Sequence, residues 1–335
     1  MRQPTFHLVA IILLFAIPIS FATYKRNAIW KDELLMWADV VQKSPEKARV
    51  HTGLGMAYFK QDRIDEAVEK YLTSLRLNPG FVEAHVNLGN AYLKQKRIHE
   101  ALQEYESASR FGPGYAQAHN NLGNVYYDNG QMDEAIEKYL TAIKLKPDFP
   151  EAHYNLGNIY YKQGRLDEAL QAYRKALRLN PDYMEAHNNL GNLYLSQGKL
   201  KEAEVEYLTA LRLKSDIAKT HYNLGNIYAK QGRLEEALQK YRTALRLAPD
   251  NAETHNNLGA IYFSQGRLDE AIEEYLTALR LKPDFVEAHV NIGNTYKAKG
   301  LKDKAREEYE MALKLRPDFI PAKRALESID ISKSK

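Results

Sequence analysis

The stretch 150–183, "PEAHYNLGNIYYKQGRLDEALQAYRKALRLNPDY", decides the fold, because the chain repeats its pattern eight times. Aligned on its "LG" glycine, Gly157, the pattern recurs at Gly55, Gly89, Gly123, Gly191, Gly225, Gly259 and Gly293. The spacing is 34 residues every time, with no insertion. With that glycine as position 8, the repeats are 48–81, 82–115, 116–149, 150–183, 184–217, 218–251, 252–285 and 286–319. Position 11 is tyrosine throughout, position 20 alanine and position 24 tyrosine, while position 32 is proline except at Ser215. Self-similarity at a fixed period of this length marks a repeat architecture.

The pattern resembles the tetratricopeptide repeat, a helix–turn–helix unit, over more than four fifths of the chain. Glycine at 8 and alanine at 20 suit a close crossing of helices A and B, with the tyrosines at 11 and 24 filling the gaps beside it. Gly130, Gly164, Gly198, Gly232, Gly266 and Gly300 at position 15 suit the left-handed residue that ends helix A. Proline at 32 cannot continue helix B. Asp148 with Glu151, Asp182 with Glu185, and Asp284 with Glu287 read as capping boxes for the next helix A. The expected fold is all-α: a right-handed α-solenoid, or superhelix, of eight tetratricopeptide units with capping helices. Residues 23–47, with Trp30, Trp37 and Pro45, read as a lone helix B before the first repeat. Residues 320–335 read as a lone polar helix A that keeps the array soluble.

Hydrophobic residues make up 44% of the 335-residue chain and charged ones 27%, ordinary values for a soluble domain. The net charge of +4 does not point to nucleic acid. The absence of cysteine excludes disulfides, thiolate catalysis and cysteine-based zinc sites. Residues 1–22 stand apart. An apolar run from Phe6 to Ala22 follows Arg2, and Ser20-Phe21-Ala22 fits a signal-peptidase site. Lys25 and Arg26 instead resemble the flank of an uncleaved anchor. A buried N-terminal helix is the third reading. The first two place the array outside the cytoplasm, in a periplasm or equivalent lumen, secreted or anchored by this segment.

Lysine or arginine holds position 29 in every repeat and glutamate position 19 in seven. These complement the two ends of the helix B dipole, so the basic stripe is read as helix chemistry and not as a nucleic-acid site. Position 4 is histidine in all eight repeats. Equivalent helices lie roughly 9–10 Å apart, whereas zinc ligands stand about 2 Å from their ion. The row therefore reads as packing, and no metal or cofactor is expected.

The asparagines pose the hardest question, sharpest in "HNNLGN" at 119–124 and again at 187–192. Position 6 carries Asn87, Asn121, Asn155, Asn189, Asn223, Asn257 and Asn291, with Gly53 in the first repeat. Position 9 carries Asn90, Asn124, Asn158, Asn192, Asn226 and Asn294, with Met56 and Ala260 as exceptions. Position 5 is mixed, alternating Asn120, Asn188 and Asn256 with Tyr154 and Tyr222, and positions 12 and 13 vary freely. Each interior asparagine costs about 0.6 kcal/mol against alanine, so thirteen cost on the order of 8 kcal/mol. A ladder of side-chain amides gripping the backbone of an extended peptide would offset that cost. Inheritance through duplication, or bonds between helices that build the array, are the alternatives.

"EAHNNLGNxY…G…DEA…Y" is similar to the repeat region of the O-GlcNAc transferases. That resemblance implies that the position-6 asparagines line a concave groove and hold protein. Their catalytic domain has no counterpart here. Residues 23–55 resemble the junction of bacterial multi-spanning membrane proteins, relatives of O-mannosyltransferases, with an extramembrane tetratricopeptide tail. The expected function is a non-catalytic protein–protein interaction scaffold that takes an extended segment of a protein partner. The alternatives are a structural subunit of a larger, membrane-associated or self-associating assembly, and an accessory module of a glycosyltransferase system. No nucleophile–base pair, phosphate loop or paired-carboxylate cleft suggests an enzyme.

Overall fold

The computed structural model describes residues 32–331, which form eighteen helices and no strands. The apolar run 6–22 and Trp30 lie outside the described residues. In each repeat helix A spans positions 1–13 and helix B positions 17–30. The pairs run from Ala48–Lys60 and Ile64–Leu77 in the first repeat to Val286–Ala298 and Lys302–Leu315 in the eighth. Glu33–Lys43 precedes them and Ile320–Ile331 follows. The structure divides into two compact units at Leu179 and Asn180. Within each unit the pairs pack one on the next as an all-α solenoid. Among the described residues no helix is long and apolar enough to cross a membrane.

The repeated residues interlock somewhat differently from the sequence expectation. Glycine at position 8 makes room chiefly for a side chain. A Cβ on Gly123 would stand 2.5 Å from Cε1 of Tyr139, and one on Gly225 would stand 2.5 Å from Cε1 of Tyr241. The position-24 ring thus lies flat on its own repeat's helix A, and all eight of these tyrosines are buried. Position-20 alanines are fully enclosed beside them. Position-11 tyrosines face an arginine at position 16 in most repeats. Arg165, for example, sits 4.2 Å over the Tyr160 ring and reaches Glu168 at 3.0 Å. Helix A closes on a left-handed residue at position 15, with φ +79° at Gly130 and +74° at Gly164. Asp62 and Lys96 hold the same conformation in the first two repeats without being glycine.

The capping boxes do not form. Phe149, Tyr183 and Phe285 at position 34 are the N-cap residues, and none makes a side-chain cap bond. The position-34 ring docks inward: Phe149 packs among Ala116, Ala142 and Ala152. Holding that ring leaves the preceding aspartates, Asp148, Asp182 and Asp284, one residue outside the cap and exposed. Genuine side-chain caps occur at Asp32, which accepts from Leu34 N at 2.9 Å, and at Asn251, which accepts from Thr254 N at 2.7 Å.

Candidate functional site

All thirteen asparagines lie on helix A, and most join hydrogen-bond networks that link neighbouring repeats within each unit. Each position-9 Oδ1 accepts from the hydroxyl of its own repeat's position-24 tyrosine. Tyr105 donates to Asn90 at 2.7 Å, Tyr139 to Asn124 at 2.8 Å and Tyr173 to Asn158 at 2.9 Å. Tyr207, Tyr241 and Tyr309 do the same to Asn192, Asn226 and Asn294. Burial raises the pKa of Tyr105, Tyr139 and Tyr241, and that of Tyr309 to about 12, so these phenols stay protonated as donors.

A second donor reaches the same oxygen from the next repeat. Position-6 Nδ2 of Asn121 donates to Asn90, Asn155 to Asn124, Asn223 to Asn192 and Asn257 to Asn226, at 2.9–3.2 Å. Position 5 joins in: Asn120 Oδ1 accepts from Asn155 and Asn256 Oδ1 from Asn291. Asn192 also donates to Asn189 at 3.4 Å.

The exceptions obey the same rule. Gly53 replaces asparagine at position 6 where no position-9 amide precedes it; Trp37 stands there instead, 2.6 Å from where a Gly53 Cβ would be. Asn87, which follows Met56, makes no such bond. Asn291, which follows Ala260, turns to Asn256. Intramolecular bonds contribute about 0.5–1.5 kcal/mol each, comparable with the propensity cost of asparagine. The cost is therefore offset inside the fold and does not of itself require a ligand.

What the network leaves over faces two equivalent pockets. In the first unit a cavity of about 350 Å³ is bounded by Leu93, Asn124, Tyr127, Asp128, Asn155 and Asn158. In the second, one of about 390 Å³ is bounded by Leu195, Asn226, Ala229, Lys230, Asn257 and Ala260. Both are built from position 12 of one repeat, positions 9, 12 and 13 of the next, and positions 6 and 9 of the one after. Asn124 and Asn226 have both acceptor sites of Oδ1 taken, while Nδ2 makes no bond within the protein and is not sealed from solvent. Each pocket thus contains a fixed amide donor with no acceptor within the protein. The variable positions 12 and 13 stand beside it, a role that their lack of pattern concealed.

A family model described as the cilia and flagella-associated protein 70 C-terminal domain matches residues 28–257. Tetratricopeptide-repeat models match 259–300 and 286–319. The chain belongs to this tetratricopeptide-repeat family. No curated protein matches it. Among solved structures it is similar to YrrB, a tetratricopeptide protein with an unusual peptide-binding site. The identity is 28% over 57% of this chain and 99% of that one, with a TM-score of 0.52. PilF of Pseudomonas aeruginosa is 23% identical over 65% of this chain and 97% of that one, with a TM-score of 0.58. The Cut9–Hcn1 hetero-tetramer is 18% identical over 86% of this chain and 56% of that one, with a TM-score of 0.57. The last two show the fold alone. Tetratricopeptide arrays are typically non-catalytic scaffolds for protein–protein interaction.

The histidines of this tetratricopeptide array are also explained by packing geometry. Every position-4 Nε2 lies 2.8–3.2 Å from the carbonyl oxygen of the preceding position-32 residue, from His51 with Pro45 to His289 with Pro283. The bond ties the inter-repeat turn to helix A. The other ring nitrogen divides the row. His85, His187, His255 and His289 meet a position-23 glutamate at 2.6–2.7 Å. His153 and His221 have none, and burial pulls their pKa down. Among the described residues no cluster of side chains has the makings of a metal site.

Proposed function

We propose that the protein is a non-catalytic scaffold that holds an extended protein segment along helix A, in pockets beside the asparagine network. The observation that carries this reading is the unspent Nδ2 donor of Asn124 and of Asn226 in two pockets of the same register. A peptide carbonyl is the matching acceptor. An extended strand rises about 3.3 Å per residue, so each pocket, framed by three successive repeats, takes a short run of the segment. Such a grip depends little on sequence. Selectivity falls to positions 12 and 13, where Tyr127 and Asp128 in one pocket contrast with Ala229 and Lys230 in the other. The similarity to a tetratricopeptide protein with a peptide-binding site supports the same class of ligand.

Asparagine-to-aspartate substitution separates ligand binding from architecture. Asn124→Asp and Asn226→Asp keep an oxygen for the tyrosine hydroxyl and the neighbouring amide but replace the free donor with an acceptor. Peptides selected from a random display library on the full chain should lose binding to the double variant, whose fold remains intact by circular dichroism. Unchanged retention would refute the reading. We also place the array outside the cytoplasm, on the strength of the apolar run 6–22; recovery from the cytosolic fraction of the native cell would contradict that assignment.

A further inference from the structure

Six repeats carry an aromatic ring at position 34 and the fifth has Ile217, whereas the sixth has the polar Asn251. In the third repeat Phe149 fills a socket of Ala116, Ala142 and Ala152, and in the seventh Phe285 fills one of Ala252, Ala278 and Ala288. These are positions 1 and 27 of a repeat and position 3 of the next. The corresponding residues in the sixth are Ala218, Ala244 and Thr254, and position 34 is Asn251. Asn251 does not take the place of the ring. Its Oδ1 turns back to accept from Thr254 N at 2.7 Å and Thr254 Oγ1 at 2.5 Å. A cavity of about 330 Å³ is left, bounded by Ala218, Lys219, Tyr222, Ala244, Ala248 and Thr254. That is ample for a benzene ring, which an apolar cavity of about 150 Å³ can hold.

The mouth of the socket is altered as well. Lys146 lies 5.0 Å from the Phe149 ring centre and Lys282 lies 4.9 Å from that of Phe285. Position 31 of the sixth repeat is Ala248, so this cation is missing with the ring. In the seventh and eighth repeats position 31 also pairs with a position-2 glutamate: Lys282 with Glu253 and Arg316 with Glu287. The sixth has Lys219 there, opposite alanine. Ring, cation and bridge are lost together, and a positive charge stands at the opening.

We propose that this socket takes an aromatic side chain from a partner protein, presented next to an acidic residue. Phe149 and Phe285 show the shape that fits, and each follows an aspartate in this chain. Lys219 supplies the charge that an acidic neighbour would meet, and Glu253 at the same rim is engaged by Lys282. The site shares no residue with the two helix A pockets, so it stands or falls independently of them.

The test uses the full chain and two dipeptides, N-acetyl-Asp-Phe-amide and N-acetyl-Asp-Ala-amide, with phenol as a third probe, followed by saturation-transfer NMR and titration. The phenylalanine dipeptide should bind about tenfold or more tightly than the alanine one, the effect expected for burying the ring. Asn251→Phe, which fills the socket from within, should abolish its binding, and Lys219→Glu should weaken it. Ala244→Leu obstructs the same space from helix B and serves if Asn251→Phe does not fold. No binding to the native chain, or equal binding to both filled variants, overturns the proposal. Phenol binding as tightly as the dipeptide, with no effect of Lys219→Glu, makes the socket a small-molecule cavity and also overturns it. So does self-association lost on filling the socket, which would give it to a second copy.

Discussion

Replacing Asn223 by alanine distinguishes a costly asparagine from a bonded one. Helix propensity alone predicts that alanine at Asn155, Asn189 and Asn223 raises stability, by about 0.6 kcal/mol at each site. The structure reverses the sign at Asn223. Its side chain is buried, and its Nδ2 donates to Asn192 Oδ1 and to the Tyr207 hydroxyl, both at 3.1 Å. Truncation removes two hydrogen bonds of about 0.5–1.5 kcal/mol each. No partner is stranded, because Tyr207 still donates to Asn192 at 2.7 Å. Subtracting the propensity gain leaves a net destabilisation of roughly 1 kcal/mol, and at most about 2.5.

The control is Asn87, which follows Met56 and lacks the position-9 partner. There alanine should stabilise by up to about 0.6 kcal/mol. Guanidinium denaturation of the full chain, followed by far-UV circular dichroism, would compare the two midpoints. Amide hydrogen exchange in Ala218–Lys230 would localise the Asn223 effect. Midpoints that move in the same direction for both variants would refute the account.

Lys96→Gly should stabilise by about 1 kcal/mol, since Lys96 holds φ +61° where six other repeats have glycine; the thermal midpoint reads it. Gly53→Asn restores the position-6 consensus yet should destabilise by about 1–3 kcal/mol, because the Trp37 ring fills the space, and the same denaturation measurement checks it. At His187 the Glu206 hydrogen bond is the largest influence and raises the pKa, and His255 behaves likewise with Glu274. At His85 and His289 burial opposes the shift, but Glu104 and Glu308 outweigh it. These four pairs stabilise the fold fully below the unfolded histidine pKa of about 6.5. Their contribution is lost as pH rises through the raised folded values. Glu206→Gln should lower the His187 pKa in an NMR titration and remove its share of that pH dependence.

The repeat was legible because its signal is local and eightfold: a fixed spacing needs no knowledge of contacts. The same holds for the left-handed closing residue, which glycine announces in six repeats. The capping boxes failed for a physical reason. Asp-x-x-Glu spacing was present, but docking of the position-34 ring shifted the cap by one residue. The amide network was hidden because its bonds join residues 15, 31 or 35 apart on different helices. A clue was nevertheless present in the first repeat, where the sequence lacks both the preceding position-9 asparagine and the position-6 asparagine that would bond to it. Comparing neighbouring repeats, rather than columns, exposes that dependence.

That dependence also changes what the asparagines imply for recognition. A cost offset internally no longer argues for a ligand, so the burden passes to the donors that remain. Asn124 Oδ1 is held by Tyr139 and Asn155, and Asn226 Oδ1 by Tyr241 and Asn257. Two donors on one oxygen fix the amide plane and therefore the direction of Nδ2. A donor fixed before binding loses little rotamer freedom when a carbonyl arrives. Tyr241→Phe leaves the Asn226 Nδ2 in place but frees the amide to rotate. Peptide binding should then weaken through this loss of preorganisation, although the tyrosine hydroxyl is already spent within the network. Binding as tight as in the native chain would show that the hydroxyl does no more than fill its own hydrogen-bonding requirement.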